Sequence, residues 1–140
     1  MKINRVYQFL ILLIIINLAV ACSTPPELEG TWCGYEIGGP QRDWILTIRQ
    51  NQFELVCENT HMWFKGRLKL NSNCNRKKMD LIINDTPARD YNGKTSFGIY
   101  EIDAGSLLLV TAEPGNTQRP CSFDKAQKAI AFVFEKNSQD

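Results

Sequence analysis

The chain has 140 residues, the length of one domain, and its 44% hydrophobic and 22% charged content excludes a disordered polymer. A formal net charge of +1 excludes the broad basic surface of a nucleic-acid binder. That average hides an asymmetry. Residues 1–21 carry Lys2 and Arg5 and no acid, so the remainder holds 14 basic against 15 acidic residues, a net of −1.

In chain order, Lys2 and Arg5 form a positive start. Val6 to Val20 is then largely apolar, with the longest uninterrupted run at Phe9–Ile16. A membrane-spanning helix needs about 20 apolar residues, so the segment fits the core of a secretory signal better than a span. It ends in Leu18-Ala19-Val20-Ala21-Cys22. Small residues just before a cysteine resemble the lipobox of bacterial lipoproteins, although Ala19 stands where leucine is usual. The resemblance implies a signal peptide over 1–21, cleavage before Cys22, acylation of its thiol and a stable membrane anchor. Ser23 rather than aspartate after the cysteine implies sorting to the outer membrane of a bacterial envelope. Residues 22–29, with Pro25-Pro26, read as a lipidated polar tether.

From residue 30 onward the dominant signal is alternation with period two, broken by turn residues. Thr31–Ile37 opens the series. Trp44, Leu46 and Ile48 follow, then the turn Gln50-Asn51-Gln52, then Phe53 and Leu55. Met62, Phe64, Gly66, Leu68 and Leu70 alternate with Trp63, Lys65, Arg67 and Lys69, apolar inside and basic outside. Met79, Leu81 and Ile83 form the next strand, after a polar loop carrying Arg76-Lys77-Lys78. Lys94–Ile102 and Ser106–Ala112 flank a tight turn at Asp103-Ala104-Gly105. A long loop, Glu113–Pro120, and a candidate short helix, Phe123–Ala129, precede Ile130, Phe132 and Phe134. Eight sequential strands with short connections predict an all-β, eight-stranded antiparallel up-and-down barrel over 30–136, with 137–140 as a tail. A two-sheet sandwich is the alternative.

Cys33, Cys57, Cys74 and Cys121 remain once Cys22 is set aside. An even count in an exported domain points to two disulfides, whose connectivity spacing alone leaves open. Gaps of 24, 17 and 47 residues and a single histidine, His61, argue against a metal site.

Leu28-Glu29-Gly30-Thr31-Trp32 resembles the G-x-W opening of lipocalin-like domains. The later order Asp80-Leu81, Gly98-Ile99-Tyr100-Glu101, Gly105-Ser106-x-Leu108 and Arg119-Pro120-x-x-Phe123 resembles an uncharacterised lipocalin-like domain family first noted in planctomycetes. The resemblance covers about residues 28–136. It implies a barrel closed at one end by Trp32, with a basic residue, here Lys136, stacked on that ring. It carries over no established biochemical activity. The four cysteines, and Ser106 in place of aspartate, depart from the family pattern. In such a meander Cys33 and Cys74 share the closed end, while Cys57 and Cys121 share the open end. Bridges Cys33–Cys74 and Cys57–Cys121 are therefore expected, the second pinning the long loop over the mouth.

His61 has no evident acid or nucleophile partner, and Glu101 faces solvent if Tyr100 and Ile102 face the core, so no enzyme and no cofactor is expected. The basic ribbon Lys65, Arg67, Lys69 and Arg76-Lys77-Lys78 reads as a solvated face able to meet anionic headgroups. Trp32, Trp44, Phe64, Tyr100 and Arg119 are the candidate ligand contacts. Besides the membrane, one of two alternative partners is expected. One is a small apolar or amphipathic ligand in the barrel. The other is an envelope protein, such as a secreted enzyme that the domain inhibits, met through mouth loops 85–93 and 113–122 by a filled barrel.

Overall fold

The alternating runs fold into strands that bury their apolar set inward. The computed structural model describes residues 23–40, 42–124 and 129–138; the expected signal peptide, Cys22 and most of the expected short helix lie outside the described residues. The strands are β1 (Gly30–Glu36), β2 (Asp43–Arg49), β3 (Gln52–Cys57), β4 (Trp63–Asn71), β5 (Lys77–Asp85), β6 (Thr95–Asp103), β7 (Ser106–Ala112) and β8 (Ala129–Lys136). Each pairs antiparallel with its sequence neighbours, and β8 returns to β1, closing an eight-stranded barrel. Closure leaves no sheet edge unpaired.

The turns fit their residues. Gln50 and Asn51 both take positive φ (49° and 62°), as do Ala104 and Gly105 (46° and 85°). Paired left-handed residues match the right-handed twist of the flanking strands. A register shift between Lys65 and Gly66 bends β4. A β-carbon at Gly66 would lie 1.9 Å from the Ile82 carbonyl oxygen, so only glycine permits that approach.

One end of the barrel is filled. Leu28, Trp32, Leu46, Ile48, Met79, Leu107, Leu109 and Phe134 are wholly buried there. The Trp32 Nε1–H donates to the Leu28 carbonyl at 3.0 Å, and Lys136 Nζ stands 5.3 Å from the Trp32 ring centre, as the lipocalin-like motif led us to expect. Residues 23–29, expected as a tether, are instead folded across this end. Leu28 N–H closes a turn on the Pro25 carbonyl, the Thr24 hydroxyl donates to Asn51 Oδ1 at 2.7 Å, and the Asn51 amide donates back at 2.8 Å. Lys136 Nζ donates to the Glu27 carbonyl, and the Glu27 carboxylate pairs with Lys77 at 3.2 Å. An apolar anchor, Leu28, followed at once by Gly30 and Trp32 makes these residues a plug.

The long β7–β8 loop does not cover the mouth. It leaves the rim and runs along the outside of the wall. Arg119 pairs with both carboxylate oxygens of Asp80 on β5, donates to the Gly98 carbonyl at 2.7 Å and stacks on Phe97 at 5.2 Å. Pro120 is buried, and Phe123 packs on a second, outer apolar cluster of Ile99, Val110 and Ala131. Three separate sequence motifs thus meet in one strap.

This course corrects the cysteine pairing. Cys33, Cys57, Cys74 and Cys121 are all free thiols. Cys57 points into the core and is fully buried, whereas Cys121 is exposed on the outer strap, so the wall separates them. Cys33 and Cys74 do share an end. Cys33, however, sits on β1 between Ile45 and Glu135, and Cys74 follows β4, half the barrel's circumference away. Such separations exceed the roughly 7 Å that a disulfide tolerates between Cα atoms.

Two measurements test this account. Peptide mapping without reduction should yield neither a Cys33–Cys74 nor a Cys57–Cys121 peptide, and Cys57 should react with alkylating reagent only after unfolding. Arg119→Ala should destabilise by about 2–3 kcal/mol in urea titration, below the roughly 3–5 kcal/mol of a fully buried pair because the Arg119 side chain remains 24% exposed. Combined Arg119→Met and Asp80→Leu should recover most of that loss.

Candidate functional site

Opposite the plug, the barrel is open. The β1–β2, β3–β4 and β5–β6 connections and the start of the β7–β8 loop form the rim. Inside it lies a cavity of about 230 Å³. Its wall is made by the inward positions nearest the mouth, including Trp44, Phe53, Leu55, Phe64, Leu81, Ile83 and Phe132. Met62, Ile130 and Pro114 line it near the entrance, and Glu36 and Arg42 are the charged groups at its lip. The barrel is therefore filled in one half and hollow in the other. The volume falls a little below the roughly 300 Å³ at which drug-sized pockets begin.

Aromatic packing shapes the wall. Trp44 meets Phe132 edge-on at 5.7 Å and lies 6.5 Å from Phe64, while Phe132 stacks on Phe134 at 5.6 Å. These contacts hold the rings against the wall rather than across the void. Trp44 Nε1 is buried with no acceptor. Ser96 supplies a polar spot on the wall, but its hydroxyl already donates to the Ala112 carbonyl at 2.6 Å.

A latch braces the rim. A single 3₁₀ turn, Arg89–Tyr91, carries Tyr91, whose hydroxyl donates to Glu113 at 2.9 Å and ties the β5–β6 loop to the start of the β7–β8 loop. The bond to this carboxylate, with smaller contributions from burial and from the charges of Glu113 and Asp90, raises the Tyr91 pKa above the usual phenol value. The Tyr91 ring also packs 6.4 Å from Phe64, linking latch to cavity. The described charges at the mouth end are unequal: Glu36, Asp43, Glu58, Asp85, Asp90 and Glu113 against Arg42, Arg89 and Lys94.

The sequence-predicted contacts divide. Trp44 and Phe64 line the cavity. Trp32 belongs to the plug, and Arg119 lies on the outer wall with its donors committed to Asp80 and Gly98, so neither reaches the cavity. Tyr100 points inward in the plugged half; its buried hydroxyl has no partner. Burial, and secondarily the charge of Glu27, raises its pKa. His61 and Glu101 are exposed. Phe53, Leu55, Leu81, Ile83 and Phe132, wall contacts that sequence reasoning missed, sit at inward positions of β3, β5 and β8; the signal was their alternation, read together with which strand ends face the mouth. Among the described residues no cluster of His, Cys, Asp and Glu could hold a metal ion, and no helix is long and apolar enough to cross a membrane.

Tyr100→Phe tests the orphan hydroxyl. The change should stabilise, or cost nothing, where an unpaired buried hydroxyl costs about 1–3 kcal/mol. The linkage has a definite sign. With the folded pKa raised, the unfolded chain loses its phenol proton first, so stability falls as pH rises through about 10. Urea midpoints at neutral and alkaline pH should show that fall in the parent and a smaller one in the variant. The chain matches no protein-family model, no curated protein and no solved structure.

Proposed function

We propose that this protein is a lipid-anchored envelope lipoprotein whose lipocalin-like barrel binds one small apolar or amphipathic ligand. The observation that carries the binding role is the one-ended cavity, with an apolar aromatic wall, a blocked floor and a braced rim. Burying apolar surface is favourable at about 25 cal/mol per Å², and a preformed apolar wall avoids the ordering that would offset it. The volume limits the occupant to something smaller than a typical drug. The charged lip suits an amphipathic molecule that leaves a polar group at Glu36 and Arg42. The order of motifs from Gly30-Thr31-Trp32 to Arg119-Pro120 supports the lipocalin-like reading. Leu18–Cys22 supports acylation of Cys22, and Ser23 supports placement at an outer membrane.

A second reading has its own observation. Tyr35 and Ile37, 54% and 39% exposed, stand on the outside of β1 and just past its end, beside the rim. They suit a contact with another envelope protein, such as a secreted enzyme that the domain inhibits.

The two separate in one titration. The full chain in detergent is titrated with a homologous series of straight-chain carboxylic acids and alcohols, read by tryptophan fluorescence. Affinity should rise about fourfold per added CH₂, the equivalent of about 0.8 kcal/mol, until the cavity is full, then stop rising. Leu55→Trp should fill the cavity and abolish the response while the barrel still folds. No length dependence in the parent would overturn ligand binding and favour the protein partner.

A further inference from the structure

The plug also marks the point where the chain leaves for its anchor. Thr24 is fixed to Asn51 by two hydrogen bonds of 2.7 and 2.8 Å, and Asn51 lies in the β2–β3 turn, where its carbonyl accepts from the Leu68 amide of β4. Cys22 is two residues before Thr24. Two residues span at most about 7 Å, so an acyl group on Cys22 holds this side of the barrel within a headgroup's reach of the bilayer.

That side is cationic. The outer face of β2–β5 at the plugged end carries Arg49, Arg67, Lys69, Arg76 and Lys78, and none of the five has an ion-pair partner among the described residues. The register sets them in neighbouring rows. Gln52 pairs with both Arg49 and Arg67, Lys69 lies opposite Asp80, and Asn71 opposite Lys78. Asp80, the acid inside this band, is neutralised by Arg119. Between Arg49 and Arg67 runs an open furrow of about 500 Å³ whose mouthward edge holds Lys65 paired to Glu54, and Asp85. Of the other acids of the plugged end, Glu27 borders this face paired to Lys77, Glu29 borders it accepting from the Gln50 amide, and Glu101, Asp103 and Glu135 lie on the β6–β8 side. Among the described residues, the loops of the mouth hold Glu36, Asp43, Glu58, Asp85, Asp90 and Glu113 against Arg42, Arg89 and Lys94, a balance less favourable to an anionic surface.

We infer that the β2–β5 side of the plugged end is a docking surface for the anionic headgroups of the membrane in which the chain is anchored, which turns the cavity mouth away from the bilayer. Basic residues close to an anionic surface each strengthen attachment, and the attraction dies within a Debye length, about 10 Å at 0.1 M salt. The inference rests on the anchoring read from Cys22, and the test reads the two separately.

The full chain is reconstituted on vesicles of phosphatidylcholine, with or without phosphatidylglycerol. Flotation reports anchoring. Acetylation by a water-soluble reagent, followed peptide by peptide, reports which face is shielded. Lys69 and Lys78 should react several-fold more slowly on the anionic vesicles than on the neutral ones, with Lys94 in the mouth loop unchanged, and molar salt should erase the difference. Arg49→Gln with Arg67→Gln, both exposed changes, should weaken the shielding of Lys78 without altering flotation. Chain that floats while Lys69 and Lys78 react equally on both compositions would overturn the docking surface and leave the anchor standing. Shielding of Lys94 instead would overturn the orientation. Chain that floats with neither composition would overturn the anchor and the inference with it.

Discussion

The barrel depends on the closure of one end by Trp32. An eight-stranded barrel has an interior just wide enough for side chains, and a residue that fills it and also satisfies its own polar atom stabilises it most. Trp32 does both. Its ring is wholly buried, its Nε1–H reaches the Leu28 carbonyl, and Lys136 covers its outer face. The same contacts fold residues 24–29 across the end and join the first strand to the last. Because the plugged half is solid, whatever space the barrel keeps must lie toward the mouth.

The strap is the second constraint. Ile99, Val110 and Ala131 are outward-facing apolar residues that would otherwise meet water. The β7–β8 loop covers them, held by Arg119 on Asp80 and Gly98 and by the buried Pro120. Gly98 is needed there in its own right. A β-carbon would lie 2.8 Å from the Met79 carbonyl oxygen and 3.1 Å from the Val110 carbonyl oxygen, inside the wall that Arg119 grips from outside. Loop and wall are therefore one packed unit, and the mouth keeps only the latch of Tyr91 and Glu113 above it.

Much of this architecture was legible in the residues. Period-two alternation located all eight strands, since an antiparallel wall with one wet face imposes that pattern. The pairing of Trp32 with Lys136 was legible through the lipocalin-like motif. The solvent-facing side of Glu101 followed from its neighbours. The strap was not legible, because a loop's course over a wall leaves no periodicity, so Arg119 read as a mouth-loop residue that could anchor a ligand or pair with an acid, and Asp80 was not named as that acid. The cysteines were read by end alone. Alternation does say that Cys57 faces inward and Cys33 outward, but the exposed, strap-borne position of Cys121 depends on the loop. Trp44 and Phe64 were recognised as cavity residues by size, whereas Leu55, Leu81 and Ile83 looked like ordinary core until the floor of the barrel was located.

The meeting of the first and last described segments has a topological consequence. Asn137 donates to the Thr31 carbonyl at 2.8 Å, and Lys136 touches Glu27, so the described chain begins and ends at one place on the barrel. It is almost a ring. A short peptide could join the ends at little entropic cost, since loop closure grows only slowly with length. The chain could then be reopened at an exposed connection of the mouth, the kind of site where permuted proteins are tolerated. Every strand would keep its two neighbours, because closure makes no strand first or last in space.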